Sequence, residues 1–414
     1  MIILMIYCLA LLPLCIISFW LALLTLGSWL YKAKKDPSAP LLRLVVIIPA
    51  HNEELQIGKV IEEIRSCDYP EELLQIIVIA DNCTDNTALL ARQGGVESLE
   101  RFDLCHPGKG QALEWFLQTH QELYEQEDAL VFVDADVLID QNMLKELSAS
   151  LAHPAVEVVQ GFNGVSNPYY NWRTALTAAA YNVFNHVRMA GNNYFFNTAT
   201  LKGLGMAFEV KILQESGWPA HSVVEDMEFS ILLLEKHITV QYNPAAIITS
   251  EAAAVRKQAD AQRRRWEGGR FRLLLDFLPR LSREFFNGNW KMGVMIMDLF
   301  IPPISLLLLL VFLCFIPSLL VYHEVIPLFG CIFIILFFYI ISGQIQRGAP
   351  LRSWGYLLAA PLFIAWKLLI YISMLCRQQP AAWKRTIRRD ELINKDEMEN
   401  GKDKINNNPE DNSL

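Results

Sequence analysis

The chain has 414 residues, 53% hydrophobic and 19% charged, with a net charge of −8 and a mean hydropathy of +0.24. That is too apolar for a purely soluble protein and too charged for a purely membrane-embedded one, so the length leaves room for one soluble domain beside membrane segments. The acidic balance gives no global sign of nucleic-acid binding. The eight cysteines include no C-x-x-C pair and no metal-ligand spacing, so buried reduced thiols are expected.

Met1–Leu30 is almost uninterrupted apolar sequence and is followed by Lys32, Lys34 and Lys35. Its length suits a bilayer crossing. It has no basic segment ahead of it and is too long for a secretory leader. It reads as an anchor over 1–31 whose C-terminal end faces the cytoplasm, by the positive-inside rule.

From Leu42 short apolar runs alternate with amphipathic helices. LRLVVIIP, LLQIIVIA and ALVFV have the near-continuous apolar character of strands covered on both faces. Between the first two, Ile57, Val60, Ile61 and Ile64 recur at helical spacing, and Gly108–Thr119 supplies the helix ahead of the third. The alternation predicts an α/β fold with a mostly parallel sheet. Ligands of such sheets sit beyond the carboxyl ends of the strands.

The residues at those ends are polar: Pro49-Ala50-His51-Asn52-Glu53-Glu54, then Asp81-Asn82-Cys83-Thr84-Asp85-Asn86-Thr87, then Asp134-Ala135-Asp136. Two carboxylates one residue apart offer hard oxygen ligands to Mg²⁺ or Mn²⁺ shared with phosphates. In the second set Thr84 or Asp85 would cap the helix beginning near Asn86, which leaves Asp81 either structural or an acceptor for a base or sugar hydroxyl. Lys109, flanked by Gly108 and Gly110, is either a solvated turn lysine or an ammonium for a diphosphate, in an order that is not a Walker A loop.

Asn197–Ala207 is rich in small residues, and Gly203 and Gly205 permit close approach of backbone to ligand. Ser222 could cap a helix carrying Glu225, Asp226 and Glu228 in its first turn. The Gln262-Arg263-Arg264-Arg265-Trp266 run is either a basic patch, solvated or facing the membrane, or a guanidinium for pyrophosphate beside an indole for a sugar. Residues 271–292 interleave Leu and Phe with Arg272, Arg280 and Arg283, the pattern of an interfacial amphipathic helix. Within 293–376, Met295–Tyr322, Val325–Ser342 and Trp354–Leu375 are long enough to span, although Pro302-Pro303 interrupts the first. An anchor ending inside plus three spans would leave the basic cluster at Arg377–Arg389 outside, against the positive-inside rule. Either one late segment re-enters or lies in the interface, with Pro302-Pro303 pointing to the first of the three spans, or the positive-inside rule fails here. Residues 377–414 form a basic and then polar tail expected to be disordered.

Taken together, the motifs resemble those of the membrane-embedded family-2 glycosyltransferases, the group that holds cellulose, hyaluronan and poly-N-acetylglucosamine synthases. Ceramide-type lipid glucosyltransferases share the pattern. The resemblance covers Val45–Arg270 and the flanking membrane segments, and implies a GT-A domain over 42–270. It implies a nucleotide-diphosphate sugar donor, usually a UDP-sugar, with Mg²⁺ or Mn²⁺. By the same resemblance Glu53, Asp81 and Asn82 hold the nucleotide, Asn82 standing where many members have a second Asp. Lys109 and Arg265 approach the diphosphate, Asp134 supports the nucleotide, and the D-x-D pair binds metal with Asp136 the more direct ligand. Val224-Glu225-Asp226 matches a T-E-D segment, with Asp226 as general base and Glu225 beside it. Gln262, Arg265 and Trp266 match Q-x-x-R-W, with Trp266, Gln262, Gly203 and Gly205 on the acceptor side. The implied reaction is inverting transfer to a glycan acceptor at the cytoplasmic face of a bacterial inner membrane. A single-addition lipid transferase and a non-catalytic sugar-nucleotide-binding membrane protein are the alternatives.

Overall fold

In the computed structural model, which describes residues 2–253 and 256–376, the soluble part is built outward from β1 (Leu44–Ala50). Side chains alternate across a strand, and here both faces are apolar. Leu44, Val46 and Ile48 enter one core, and Val45 and Ile47 the other. Each fully buried aliphatic side chain is worth about 1.5–3 kcal/mol, so helices must cover both faces. A long helix, α1 (Ile2–Leu30), precedes this strand.

In chain order there follow α2 (Ile57–Arg65), β2 (Leu74–Asp81), α3 (Thr87–Gln93), β3 (Glu97–Arg101), α4 (Lys109–Thr119), β4 (Ala129–Phe132), β5 (Val137–Ile139) and α5 (Met143–Leu151). Then come β6 (Val158–Val165), α6 (Trp172–Tyr181), α7 (Arg188–Phe196), β7 (Met206–Glu209), α8 (Val210–Ser216), α9 (Glu225–Glu235) and β8 (Val240–Ser250). The sheet order is β3-β2-β1-β4-β7-β6-β8-β5. β3, β2, β1 and β4 are mutually parallel, whereas β7 runs antiparallel to both β4 and β6. The parallel half brings the ends of β1, β2 and β4 to one edge, as the sequence pattern predicts. On one face α2 buries Ile57, Val60, Ile61 and Ile64; on the other α4 buries Ala112, Leu113, Phe116 and Leu117.

The helical part begins with α10 (Arg256–Phe286), one helix that runs through position 270 and carries both Q-x-x-R-W and the amphipathic stretch. Phe271, Leu275 and Phe286 on it are exposed, whereas Leu273 and Leu281 pack on Val224, Met227 and Ile231. Next come α11 (Met292–Phe300), α12 (Ile304–Leu320), α13 (Ile326–Gln346), α14 (Leu351–Trp354) and α15 (Ala360–Cys376). Tyr7–Leu30, His323–Gln346 and Leu351–Ile372 are long and apolar enough to cross a membrane. The pair α11 and α12 bends by 69° at Ile301–Pro303, where the two prolines interrupt backbone pairing.

The helices are locked to the sheet by specific contacts. Gly191 of α7 lies against the backbone of Leu24 in α1, where any Cβ would collide. The Tyr31 hydroxyl, one residue past α1, donates to the Tyr242 carbonyl (2.5 Å) on β8 and lies 3.0 Å from Asn193 Oδ1. α1 and α13 run in the same direction, joined at one end by Ser28–Gln346 and Trp29–Ser342 and at the other by the stacked rings of Tyr7 and Tyr322.

Several expectations change. The described cysteines are free, but only Cys67 is buried, and Cys105 is exposed. Thr84 does not cap α3: its N–H and hydroxyl both donate to Asn52, while Asp85 accepts from the Thr87 N–H. Ser222 does not cap α9 either; the Glu228 carboxylate turns back to accept the N–H groups of His221 and Ser222. The basic cluster and tail from 377 lie outside the described residues.

Candidate active site

A cavity of about 690 Å³ opens at the ends of β1, β2 and β4 and continues to the apolar helices. At the strand ends it is lined by His51, Glu53, Asp81, Lys109, Asp134 and Asp136. Glu225, Asp226, Gly203, Gln262, Arg265 and Trp266 also line it. Ile301–Leu307, Leu21, Tyr339 and Phe363 complete the wall from the helical side.

Asp81, the last residue of β2, is nearly buried and already engaged. Its Oδ1 accepts from Arg101 (2.6 Å) and from Asn82 (3.0 Å), and its Oδ2 from the Gly108 N–H (3.3 Å). Arg101 also reaches Asp103 and the carbonyl of His106, so it holds the loop leading into α4. Asn82 adopts positive φ and exchanges hydrogen bonds with the Asp103 backbone, away from the cavity lining. His51 Nδ1 lies 2.7 Å from the Asp81 carbonyl oxygen.

Lys109, the first residue of α4, donates to Asp134 (2.6 Å) and to the Gly203 carbonyl (2.7 Å). Burial works against its charge, but Asp134, Glu225 and Asp226 outweigh burial and hold its pKa above the ordinary lysine value. Gly203 has φ +78°, and its α-carbon faces Asp226: a Cβ there would stand 3.4 Å from Asp226 Oδ2. Gly205 plays a different part. Its N–H and carbonyl pair with Phe132 and Gly161, its α-carbon meets Ile248, and it does not line the cavity.

Glu225 and Asp226 open α9, where the helix terminus favours negative charge. Burial nevertheless pushes Glu225 up to about 7, with the neighbouring Asp226 charge adding to it and Lys109 opposing. Asp226 is also raised, again by burial, against Lys202, its backbone hydrogen bonds and Lys109. Arg265 faces this pair from α10: burial lowers its pKa, and Glu225 and Asp134 counter that. The basic run is thus turned partly inward, with Arg263 donating to Thr177 (2.8 Å) on α6.

Asp134 and Asp136 suit a hard divalent cation by chemistry and position. Among the described residues no three His, Cys, Asp or Glu gather around one point, so protein ligands alone would not complete a shell. Two carboxylates fit an ion that takes its remaining oxygens from phosphate and water.

Arg188, Lys202, Arg270 and Phe184 are cavity-lining residues that motif reading does not find. For Arg188 and Lys202 the only sequence signal is a lone cation in an apolar or small-residue stretch, NHVRM and ATLKG, whereas Arg270 follows the arginine run and Phe184 carries no signal. Trp218 is a core residue: it packs against Phe132, Phe208 and Phe229 and lies outside the cavity.

Residues 40–269 match the family model described as Glycosyltransferase like family 2, more than half of the chain. The chain belongs to glycosyltransferase family 2. Its sheet, parallel through β3-β2-β1-β4 with the acids at the strand ends, is the GT-A arrangement of that family.

A probable glycosyltransferase of Bacillus subtilis, YdaM, is 27% identical over 62% of this chain and 61% of its own length. A β-monoglucosyldiacylglycerol synthase of Synechocystis is 23% identical over 63% of this chain and 61% of its own. The N-acetylglucosaminyltransferase of Rhizobium leguminosarum is 24% identical over 61% and 62%. The chain therefore spans about three fifths of the length of these relatives. A solved mannosyltransferase of Pyrobaculum calidifontis, in complex with GDP-mannose and Mn²⁺, is 18% identical, with 81% of this chain and 99% of that chain covered and a TM-score of 0.49.

Proposed function

We propose that the chain transfers a sugar from a UDP-sugar to an acceptor hydroxyl at the cytoplasmic face of a membrane, by single displacement with inversion. The observation that carries this reading is the continuity of one cavity, from Lys109, Asp134 and Asp136 past Asp226, Arg265 and Trp266 to the helices at Ile301–Leu307. The donor lies toward the strand ends, with Glu53 and Asp81 at its nucleotide. Asn82 acts there by holding Asp81 and the 101–108 loop.

The acceptor oxygen attacks the anomeric carbon while the bond to the diphosphate oxygen breaks, and the electron pair of that bond leaves with the nucleoside diphosphate. The acceptor proton passes to Asp226 Oδ2, a group held free of any Cβ at Gly203. Lys109 and Arg265 stabilise the charge growing on the leaving group, a contribution that is large in a site screened from water. Asp136, with Asp134, would hold a divalent cation, which adds charge stabilisation at the same place. Trp266 offers the acceptor sugar or headgroup a flat apolar surface, and Gln262 a polar edge.

A polysaccharide or oligosaccharide acceptor and a lipid acceptor both suit this chemistry. The apolar helical wall favours an acceptor anchored in the membrane, and one relative of the chain is named for a glucosyldiacylglycerol product. Purified full-length protein in lipid nanodiscs, offered a panel of UDP-sugars with Mn²⁺, should release UDP from one of them and yield a glycosylated product by mass spectrometry. Absence of UDP release across the panel would contradict the reading.

A further inference from the structure

Where α7, α10 and α11 converge with the segment before β7, three cations surround one carboxylate. Arg188 pairs with Asp298 and donates to its carbonyl (3.0 Å), Lys202 lies 3.5 Å from Asp298 Oδ2, and Thr200 donates to the same oxygen (3.1 Å). Arg270 donates to the carbonyls of Asp298 (2.6 Å), Leu299 (3.1 Å) and Ile301. The side chains of Arg188, Lys202 and Asp298 are 5%, 6% and 3% exposed. All three cations sit over the Phe184 ring, at 4.8, 3.9 and 5.7 Å from its centroid.

This cluster does not balance. One carboxylate faces three buried cations, Glu267 is committed to Lys367, and Asp226 is the acid assigned to the reacting hydroxyl. Buried charge is costly unless it is paired, and a surplus of one sign calls for an anionic partner. Among the described residues Nε of Arg188 and Nε of Arg270 have no hydrogen-bond partner, and both residues line the cavity. Guanidinium groups match the oxygens of phosphate in geometry as well as charge.

We propose that Arg188, Lys202 and Arg270 form a subsite for a phosphate group carried by the acceptor. The inference rests on the reading of the cavity as a transferase site. The neighbouring wall of Leu21, Ile304, Leu307 and Phe363 gives a lipid-borne phosphate a place for its apolar stem. The subsite adjoins Asp226 through Lys202, so an acceptor held there by its phosphate presents a nearby hydroxyl to the base.

The test uses the full-length protein in phosphatidylcholine nanodiscs doped with either phosphatidic acid or diacylglycerol of the same chains, with bound lipid counted by native mass spectrometry. Phosphatidic acid should be retained at least about tenfold more tightly than diacylglycerol, the worth of one charge-assisted hydrogen bond. Lys202→Met should erase that preference and Lys202→Arg restore it. Equal retention of the two lipids by the wild type, which needs no variant, would overturn the proposal, as would an undiminished preference in Lys202→Met. Inorganic phosphate that displaces phosphatidic acid at millimolar concentration would support the anion subsite and assign it to free phosphate rather than a headgroup. UDP affinity, read by tryptophan fluorescence on the same samples, separates the two readings: UDP binding without a phosphatidic-acid preference refutes the subsite alone.

Discussion

The ammonium of Lys109 lies 2.6 Å from Asp134 Oδ1, and this pair joins the first residue of α4 to the end of β4. Lys109 is thereby held on Asp134, with the Gly203 carbonyl as its second acceptor. Lys109→Met should lower kcat/KM for the UDP-sugar by about 10²–10³-fold, the cost of one charge-stabilising donor. Initial-rate UDP release with kcat and KM separated checks this, and wild-type rates would remove Lys109 from the chemistry.

Catalysis should have an acid limb. The base must be ionised, and Glu225 is pushed up to about 7 with Asp226 raised beside it. Burial raises the Asp226 carboxyl, so log kcat/KM should begin to fall with acidification at a pH above the ordinary carboxylate range, and Asp226→Asn should abolish that limb. Stability carries the opposite sign. A carboxyl raised by folding favours the folded state while protonated, so its contribution is present below the ordinary carboxylate range and is lost as pH rises through about 7. Melting temperature against pH should decline over that window in the wild type and flatten in Glu225→Gln.

Asp298 is the only carboxylate bound directly to Arg188 and Lys202 among the described residues. Removing one partner of a buried ion pair leaves the others uncompensated, at about 3–5 kcal/mol. Asp298→Ala should lower the denaturation midpoint accordingly in detergent, whereas an unchanged midpoint would mean that the cluster is hydrated or re-paired.

Divalent-metal binding can be read without turnover. Mn²⁺ titrated into protein with UDP, followed by electron paramagnetic resonance, should lose its bound fraction in Asp136→Asn. The same loss should be smaller in Asp134→Asn, since Asp134 is already shared with Lys109. Equal Mn²⁺ binding by wild type and Asp136→Asn would contradict the assignment.

Much of this arrangement is legible in the residues. Alternating burial makes β1, β2 and β4 apolar on both faces, so the polar residues at their ends stand out, and Asp81, Asp134, Lys109 and Asp226 do line one cavity. β3 is hidden because an edge strand of sequence ESLER is charged, and with it Arg101, the partner of Asp81, is hidden too. Asn82 and Gly205 are found as residues of interest, but backbone pairing rather than the cavity explains their places.

Tertiary packing decides the rest. Trp218 stands beside a proline in the sequence, and only the closing of Phe132, Phe208 and Phe229 around it makes it a core residue. Ser222 has no capping role because α9 begins at Glu225 with Val224 in the cap position, while Glu228 reaches back to accept the Ser222 N–H. The run of arginines and Gly268-Gly269 hides that Q-x-x-R-W stands within one 31-residue helix. The cation cluster at Asp298 joins residues 188, 202, 270 and 298, a spacing with no sequence signature.

The most direct measurement of the proposed chemistry compares wild type and Asp226→Asn in nanodiscs, with UDP-sugar, Mn²⁺ and membrane acceptor, scoring glycosylated product and UDP affinity together. Product formation should fall by about 10²–10⁴-fold in Asp226→Asn while UDP affinity stays within twofold or so. Wild-type product yield from Asp226→Asn would contradict the assignment of Asp226 as the base and, with it, the single-displacement reading of the cavity.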